Sequence, residues 1–199
     1  INSYLCSIKL QNMLLAVDIG NTRIKVAVFE GSTLLEQFYF NSLDLQNELH
    51  IILNKYKKAS ELVVASVGNI PKEAISEFES KVNIHFICSD FPFPFTNTYS
   101  TPNTLGIDRM VLASGAVLKY PNQNRLVIDA GTCITYDFID DNDNYLGGAI
   151  SPGIRLRFES LHNYTAKLPL LSLESINDKD SELEEIPFIG NSTFEAINS

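Results

Sequence analysis

The sequence predicts an α/β protein built as a duplicated fold, with a central cleft between its two halves. Runs of β-type residues alternate with helical stretches along the chain. In addition, residues 17–21, Val-Asp-Ile-Gly-Asn, reappear as Ile-Asp-Ala-Gly-Thr at residues 128–132. A strand is predicted on both sides of each copy, so each copy is strand, Asp-x-Gly turn, strand. Two copies of one supersecondary unit indicate two related halves, and the space between such halves is a favoured place for a ligand.

The first half is predicted to begin with a β-hairpin, because two short apolar runs flank a turn that contains glycine and asparagine. A stretch with helical spacing follows, then a buried β run, a helix that begins after Pro71, and a last strand. The predicted bounds are 14–17 and 24–29 for the hairpin strands, about 43–58 for the first helix, and 62–65 and 84–87 for the two later strands.

A proline-rich segment follows the last of these strands. Residues 91–95, Phe-Pro-Phe-Pro-Phe, are expected to form a loop or a linker, since proline fits neither a helix interior nor a central strand. Helical spacing then extends over residues 105–120 and is ended by the proline that follows. The strands that flank the second Asp-x-Gly turn are expected at 126–128 and 134–139. Residues 146–153 are rich in glycine, and we interpret them either as a bare turn or as backbone that lies against a nucleotide.

Composition describes a globular protein of 199 residues, with 45% hydrophobic and 20% charged residues. Its net charge of −9 disfavours long-range attraction to nucleic acid or to anionic membranes. No apolar stretch approaches the roughly 20 residues that span a bilayer, and no export signal is visible. The sequence therefore predicts a cytoplasmic protein with no nucleic-acid partner and no membrane partner.

The cysteines and histidines suggest no metal site. The three cysteines are odd in number and widely spaced, a pattern that predicts reduced, buried thiols. The three histidines are equally scattered, so no local pair of histidine ligands can form.

The two Asp-x-Gly turns have the residues of a phosphate clamp. Backbone N–H groups bind phosphate where glycine and small hydroxyl residues let them approach closely, as residues 20–22 and 131–132 would. Asp18 and Asp129 stand at the strand ends, where a carboxylate beside phosphate is the usual ligand of Mg²⁺. The chain contains neither a P-loop nor a dinucleotide-binding glycine motif. Either turn by itself would be interpreted as an ordinary hairpin.

Asp108 and Arg109 lie between the two turns, at the start of the predicted helix. Asp108 could accept the proton of an attacking hydroxyl while Arg109 holds an anionic group of the acceptor, as a kinase requires. Alternatively, Asp108 only compensates the helix dipole, and Arg109 is a solvated surface charge.

Several segments, in order, resemble the type III pantothenate kinases, which belong to the superfamily of acetate and sugar kinases, heat-shock chaperones and actin. Residues 18–25 look like the first ATP-phosphate motif of that family, and residues 129–132 resemble the second. Residues 99–102 and 106–109 look like its pantothenate-binding segment. Three further segments follow the family's pattern, namely residues 146–153, 165–169 and 190–193.

The resemblance implies actin-like (ribonuclease H-like) domains at residues 13–105, with the first phosphate motif, and 106–199. The second domain would be incomplete at its C-terminus, because family members usually extend some tens of residues further. It implies ATP-dependent phosphorylation of pantothenate to 4'-phosphopantothenate, the first step of coenzyme A biosynthesis. It also implies a cytoplasmic homodimer that uses Mg²⁺ and a monovalent cation, K⁺ or NH₄⁺.

The resemblance also assigns roles to individual residues. Asp108 would be the catalytic proton acceptor, Asp129 would bind the monovalent cation, and Asp18 would bind Mg²⁺, directly or through water. The residues expected to bind ATP are Asp18, Ile19, Gly20, Asn21, Thr22, Arg23, Ile24, Lys25 and Thr132, and those expected to bind pantothenate are Tyr99, Gly106, Ile107, Asp108, Arg109 and Thr193.

Two other functions stay open on sequence grounds. The same fold could phosphorylate another small hydroxylated acid or a sugar, because a fold does not determine the acceptor. The chain could also be a regulatory protein that binds nucleotide and has lost turnover.

Overall fold

The computed structural model describes residues 13–20, 23–66, 73–171 and 197, which form a mixed α/β fold with two β-sheets. The chain divides into two compact units. One contains the described residues up to Val127 together with Asp137–Gly148, and the other contains Ile128–Tyr136 and the described residues from Ala149 onward. The α/β class is confirmed. The predicted division at residue 105 into two actin-like domains stays a prediction, as do the duplication and the central cleft.

The first sheet has five strands in the order β3-β2-β1-β4-β5. Its first two strands form the predicted antiparallel hairpin, in which Asp18 pairs with Lys25. The third strand also pairs antiparallel, whereas β4 and β5 join parallel to β1 and to β4, respectively. The strands are β1 Met13–Ile19, β2 Ile24–Glu30, β3 Thr33–Phe40, β4 Ala59–Ser66 and β5 Asn83–Phe86.

Helix α1 (Leu45–Lys55) follows a 3₁₀ turn at Ser42–Asp44 and buries one face against this sheet. It ends earlier than the predicted residue 58. The physical reason is the next strand: the amide of Ala59 donates to the carbonyl of Tyr56, so the chain turns and can enter β4. The helix predicted after Pro71 is α2 (Glu73–Ser76), continued by a 3₁₀ turn at Glu77–Ser80.

The second sheet has four strands in the order β6-β9-β8-β7. These are β6 Thr96–Asn97, β7 Arg125–Ala130, β8 Cys133–Ile139 and β9 Asn144–Pro152. Both copies of the Asp-x-Gly segment are thus confirmed as strand, turn, strand. Helix α3 (Ile107–Lys119) confirms the predicted helix, and α4 (Ile154–Asn163) follows β9.

The interpretation of residues 146–153 as a bare turn is wrong, because most of this segment belongs to β9. Glycine is disfavoured in strands, so the sequence pointed away from a strand. The backbone conformation explains the glycine at one position: Gly147 has a φ of 120°, which residues with a side chain rarely adopt. The loop at residues 91–95 is confirmed.

Neither Cys88 nor Cys133 forms a disulfide with a described residue, and both side chains are exposed. The prediction that the cysteines are buried is therefore wrong for these two, and Cys6 lies outside the described residues. Cys133 is the first residue of β8, directly after the second turn. In the described part of the chain, no helix is both long enough and apolar enough to span a bilayer.

Replacing Leu49 by alanine is expected to lower the free energy of unfolding by about 2–5 kcal/mol. Leu49 is fully buried on the sheet-facing side of α1, so the truncation leaves a cavity in the core. Ile51→Ala is the control in the same helix, because Ile51 is 58% exposed. Chemical denaturation of both variants measures the difference, and equal losses would contradict the assigned core.

Candidate functional site

The first Asp-x-Gly turn joins β1 to β2. The Oδ2 of Asp18 lies 3.6 Å from the Nζ of Lys25, and both side chains are about half exposed. The amide of Gly20 donates to the carbonyl of Arg23 over 3.2 Å, and a Cβ at Gly20 would lie 3.1 Å from that oxygen. Glycine therefore allows the turn to close tightly. The Asp18 carboxylate lies at the start of the turn, beside the ammonium group of Lys25.

The predicted ATP-binding residues of this turn differ in what they can offer. Ile19 and Ile24 have buried side chains in the core, so only their backbone atoms could contact a ligand. Arg23 and Lys25 are exposed. Asn21 and Thr22 lie outside the described residues.

Asp18 and Lys25 also border a cavity of about 460 Å³. Its other walls are mainly apolar and come from β1 to β4, from α3 and from residues between 87 and 93. Apolar side chains offer no hydrogen bonds to phosphate, so phosphate-binding atoms in this region would have to come from the turn, from its two charged residues or from Gln37 and Tyr39.

The second turn joins β7 to β8, and the backbone of Gly153 lies close against it. The amide of Gly131 donates to the carbonyl of Cys133 over 2.9 Å. In the first turn the amide of Gly20 likewise donates to a carbonyl of the following strand or turn, that of Arg23. The amide of Gly153 donates to the carbonyl of Thr132 over 2.9 Å, and a Cβ at Gly153 would lie 2.2 Å from the Gly131 oxygen. Gly153 therefore supports the turn in a way that no larger residue could. Asp129 is partly buried at the end of β7, and Thr132 is exposed.

Helix α4 begins beside this turn, with Gly153 as its N-cap. Arg155 and Arg157 lie in its first turn, which contains no acidic residue. Cations are disfavoured at the positive end of a helix dipole. A helix N-terminus attracts phosphate. Both arginines already have partners within the chain, since Arg155 lies 3.6 Å from Glu159 and the Nε of Arg157 donates to the carbonyl of Pro152 over 3.0 Å.

The start of α3 holds Asp108. Gly106 is the N-cap, and Asp108 Oδ1 accepts a hydrogen bond of 2.8 Å from the amide of Arg109. A Cβ at Gly106 would lie 2.4 Å from that same Oδ1, so any other residue would push the carboxylate away. The helix begins at Ile107 and not at the predicted residue 105, because the backbone of Leu105 and Gly106 is extended.

Arg109 is only 6% exposed, so the alternative that it is a solvated surface charge is wrong. Its Nε and Nη2 donate to Asp137 Oδ1 over 2.8 and 2.6 Å, and its Cζ lies 5.9 Å from the centre of the Tyr99 ring. Burial alone would lower the pKa of the guanidinium, but the hydrogen bonds and the charge of Asp137 outweigh it, and the pKa of Arg109 is raised.

Sequence reasoning missed Asp137 and Tyr145, which surround Arg109. Asp137 is fully buried, and the Tyr145 hydroxyl donates to it over 2.5 Å. Burial, together with this hydrogen bond to a carboxylate, raises the pKa of Tyr145 well above its ordinary value. One signal was available: a lone acid stands in the otherwise uncharged strand 134–139, on the same face as the apolar Ile139.

The predicted acceptor residues are thus partly brought together. Tyr99 and the segment 106–109 meet in one compact unit, around the start of α3. Thr193 lies outside the described residues. The segment at 165–169 follows α4, where the Thr165 hydroxyl donates to the carbonyl of Leu161 over 2.6 Å.

The donor set suits hard cations. Asp18 and Asp129 offer carboxylate oxygens at strand ends, the ligand type that Mg²⁺ and K⁺ take. Among the described residues, no three His, Cys, Asp or Glu side chains group into a metal site. Any cation here would complete its coordination with phosphate oxygens, backbone carbonyls or water.

Comparison with known proteins identifies the family. The family model for type III pantothenate kinase matches residues 14–199. The type III pantothenate kinase of Flavobacterium johnsoniae is 59% identical over 187 residues, which are 94% of this chain and 73% of the relative. That of Flavobacterium psychrophilum is 54% identical over 187 residues, with 94% and 74% covered.

A solved structure shows a similar fold. It is a conserved Campylobacter jejuni protein, described as a Baf family transcriptional activator, that is 24% identical to this chain. The TM-score is 0.56, and the match covers 92% of this chain and 71% of that one. The family match extends over both Asp-x-Gly turns and the start of α3, and the relatives cover nearly the whole chain. The chain therefore belongs to the type III pantothenate kinase family.

Proposed function

We propose that this chain phosphorylates the primary hydroxyl of pantothenate with ATP and produces 4'-phosphopantothenate, the first step of coenzyme A biosynthesis. The observation that carries the proposal is the arrangement at the start of α3. There the Asp108 carboxylate immediately precedes the buried Arg109, whose guanidinium lies near the Tyr99 ring. A proton acceptor beside a buried cation suits an acceptor that has both a hydroxyl and a carboxylate.

At the acceptor end, Arg109 would bind the carboxylate of pantothenate, since a guanidinium matches a carboxylate in shape and charge. Asp108 would accept the hydroxyl proton as the new P–O bond forms. The other proposed contacts to pantothenate are Tyr99, Gly106, Ile107 and Thr193.

At the ATP end, the two Asp-x-Gly turns would hold the phosphates. The amides of Gly20 and Gly131 already donate within their own turns, so the remaining donors of the turns and the Thr132 side chain would make most contacts. The proposed contacts of the first turn are residues 18–25. The cationic first turn of α4 supports an anion at the second turn.

Phosphoryl transfer depends mainly on positioning and on stabilising charge. Mg²⁺ at Asp18 would neutralise phosphate charge, and a monovalent cation, K⁺ or NH₄⁺, would sit at Asp129. The residues of this chain would hold the two substrates in line and take up one proton at Asp108.

The finer features of the family resemblance belong to the same proposal. We infer two actin-like halves with the ligands in the cleft between them, which the matching strand, turn, strand units support. We also infer a homodimer in the cytoplasm.

A coupled assay of ADP formation tests the proposal. With Mg²⁺ and K⁺ present, ATP consumption is expected to depend on pantothenate and to fall severalfold when Na⁺ replaces K⁺. Asp129→Asn is expected to remove the difference between K⁺ and Na⁺, because the variant lacks the charged ligand. If ATP is consumed equally with and without pantothenate, or only with a sugar, the proposed function is wrong.

A further inference from the structure

The Asp137 carboxylate is fully buried, and one of its oxygens takes all of its observed hydrogen bonds. Oδ1 accepts from the Nε of Arg109 at 2.8 Å, from Nη2 of Arg109 at 2.6 Å and from the Tyr145 hydroxyl at 2.5 Å. Oδ2 is buried without a hydrogen-bond partner among the described residues. The arrangement therefore concentrates three donors on a single oxygen atom.

This is not how an arginine and a carboxylate pair most strongly. In the common fork, two N–H groups each bind a different oxygen, and both carboxylate oxygens are satisfied. Here two donors of Arg109 share one oxygen, and the other oxygen carries the cost of burial without a hydrogen bond. Buried ion pairs contribute little net stability compared with apolar residues of similar volume. The geometry therefore indicates that Asp137 holds the Arg109 guanidinium in place and does not serve stability alone.

The bonds to Asp137 determine which edge of the guanidinium is left for other partners. The Nε and Nη2 atoms form one edge of the planar group, and Asp137 takes that edge. The Nη1 atom lies on the side away from Asp137, next to the second N–H of Nη2, and these form a second fork that fits a carboxylate. The Tyr99 ring, 5.9 Å from Cζ, restricts the guanidinium further.

The Tyr145 hydroxyl in turn restrains Asp137. Tyr145 is fully buried in β9, and its ring packs between Phe95 and Tyr99, with centroids 5.7 and 6.2 Å away. The tyrosine is held by packing, so its hydroxyl is a fixed donor. The packed Tyr145 ring fixes its hydroxyl, the hydroxyl restrains the Asp137 carboxylate, and the carboxylate restrains the Arg109 guanidinium.

We propose that Asp137 and Tyr145 are positioning residues that orient the outer edge of Arg109 toward the carboxylate of the acceptor. This inference rests on the proposed function, in which Arg109 binds that carboxylate. Neither residue touches the substrate. Loss of either should therefore weaken recognition of pantothenate much more than recognition of ATP.

Steady-state kinetics of Asp137→Asn and Tyr145→Phe test the proposal. Each variant is expected to raise KM for pantothenate about 10-fold to 100-fold, the effect of losing one hydrogen bond to a charged group. We expect the KM for ATP to stay unchanged and kcat to change much less than the KM for pantothenate. Tyr145→Phe removes only a hydroxyl. If thermal melting shows that Asp137→Asn does not fold, the KM values of Tyr145→Phe alone test the positioning role.

Asp143→Asn is the matched control. Asp143 also pairs with a buried arginine, Arg125, and asparagine tolerates its positive φ of 61°. This variant is expected to leave the KM for pantothenate unchanged. If Tyr145→Phe left the KM for pantothenate unchanged, or raised both KM values equally, the positioning role would be wrong while the kinase activity stood. A wild-type chain that does not phosphorylate pantothenate would overturn the proposed function itself.

Discussion

Replacing Asp108 by asparagine is expected to lower kcat for pantothenate phosphorylation by about 10²–10⁴-fold, the usual contribution of a general base. Asparagine keeps the size of the side chain and can still accept the hydrogen bond from the Arg109 amide. It cannot take up the hydroxyl proton at neutral pH. The loss should therefore appear in kcat, whereas the KM values for ATP and pantothenate change little.

Two further variants show whether the loss of kcat comes from the position of the Asp108 carboxylate or from its charge. Gly106→Ala keeps the carboxylate but places a Cβ 2.4 Å from Asp108 Oδ1, which must then move, so we expect a smaller loss of kcat. Asp44→Asn is the control for the chemical change itself, because Asp44 is exposed and its side chain makes no cap hydrogen bond. Wild-type turnover by Asp108→Asn would show that another group accepts the proton.

Replacing Gly153 by alanine is expected to have the second largest effect. The added Cβ would lie 2.2 Å from the Gly131 oxygen and 2.6 Å from the Thr132 oxygen, both backbone atoms that cannot rotate away. The turn must shift, and a displacement of about 1 Å at a substrate-positioning group can cost about 10²-fold in rate. We expect kcat/KM for ATP to fall by about that factor, with about 1–3 kcal/mol less free energy of unfolding from overpacking.

Gly115→Ala is the matched control in the same chain. Gly115 lies within α3, and a Cβ there would have no atom within 4 Å. Alanine is favoured over glycine in a helix, so this variant should be as active as the wild type and up to about 1 kcal/mol more stable. If Gly153→Ala behaved like Gly115→Ala, the second turn would not depend on the close approach of Gly153.

Most elements of the described fold could be predicted from local pattern. The hairpin of β1 and β2, the loop at residues 91–95 and α3 follow from alternation, from proline and from helical spacing. β3 and α4 were missed. All residues of β3 are exposed or half-exposed, and apolar residues do not alternate with polar ones in its sequence, so its strand conformation depends on pairing with β2. β9 was also not predicted, because glycine has a low strand propensity. Pairing with neighbouring strands outweighs that local propensity.

The candidate site was predictable where its chemistry lies in short motifs. The two Asp-x-Gly turns and the segment at 106–109 were found as sequence, and the turns lie between strands as expected. The partners of Arg109 were not found, because Asp137 and Tyr145 are 28 and 36 positions away from it and belong to other elements. The contacts of the candidate site with ATP, cations and pantothenate stay predictions.

The amino-acid sequence by itself determined the α/β class, the repeated turns and the family, because these depend on residue type and on spacing along the chain. Only the tertiary structure decided that Arg109 is buried on Asp137, that Gly153 closes against the second turn and that the glycine-rich segment is a strand. Each of these depends on which distant backbone or side-chain atoms come within a few ångströms. Such proximity is set by packing, about which local residue patterns carry little information.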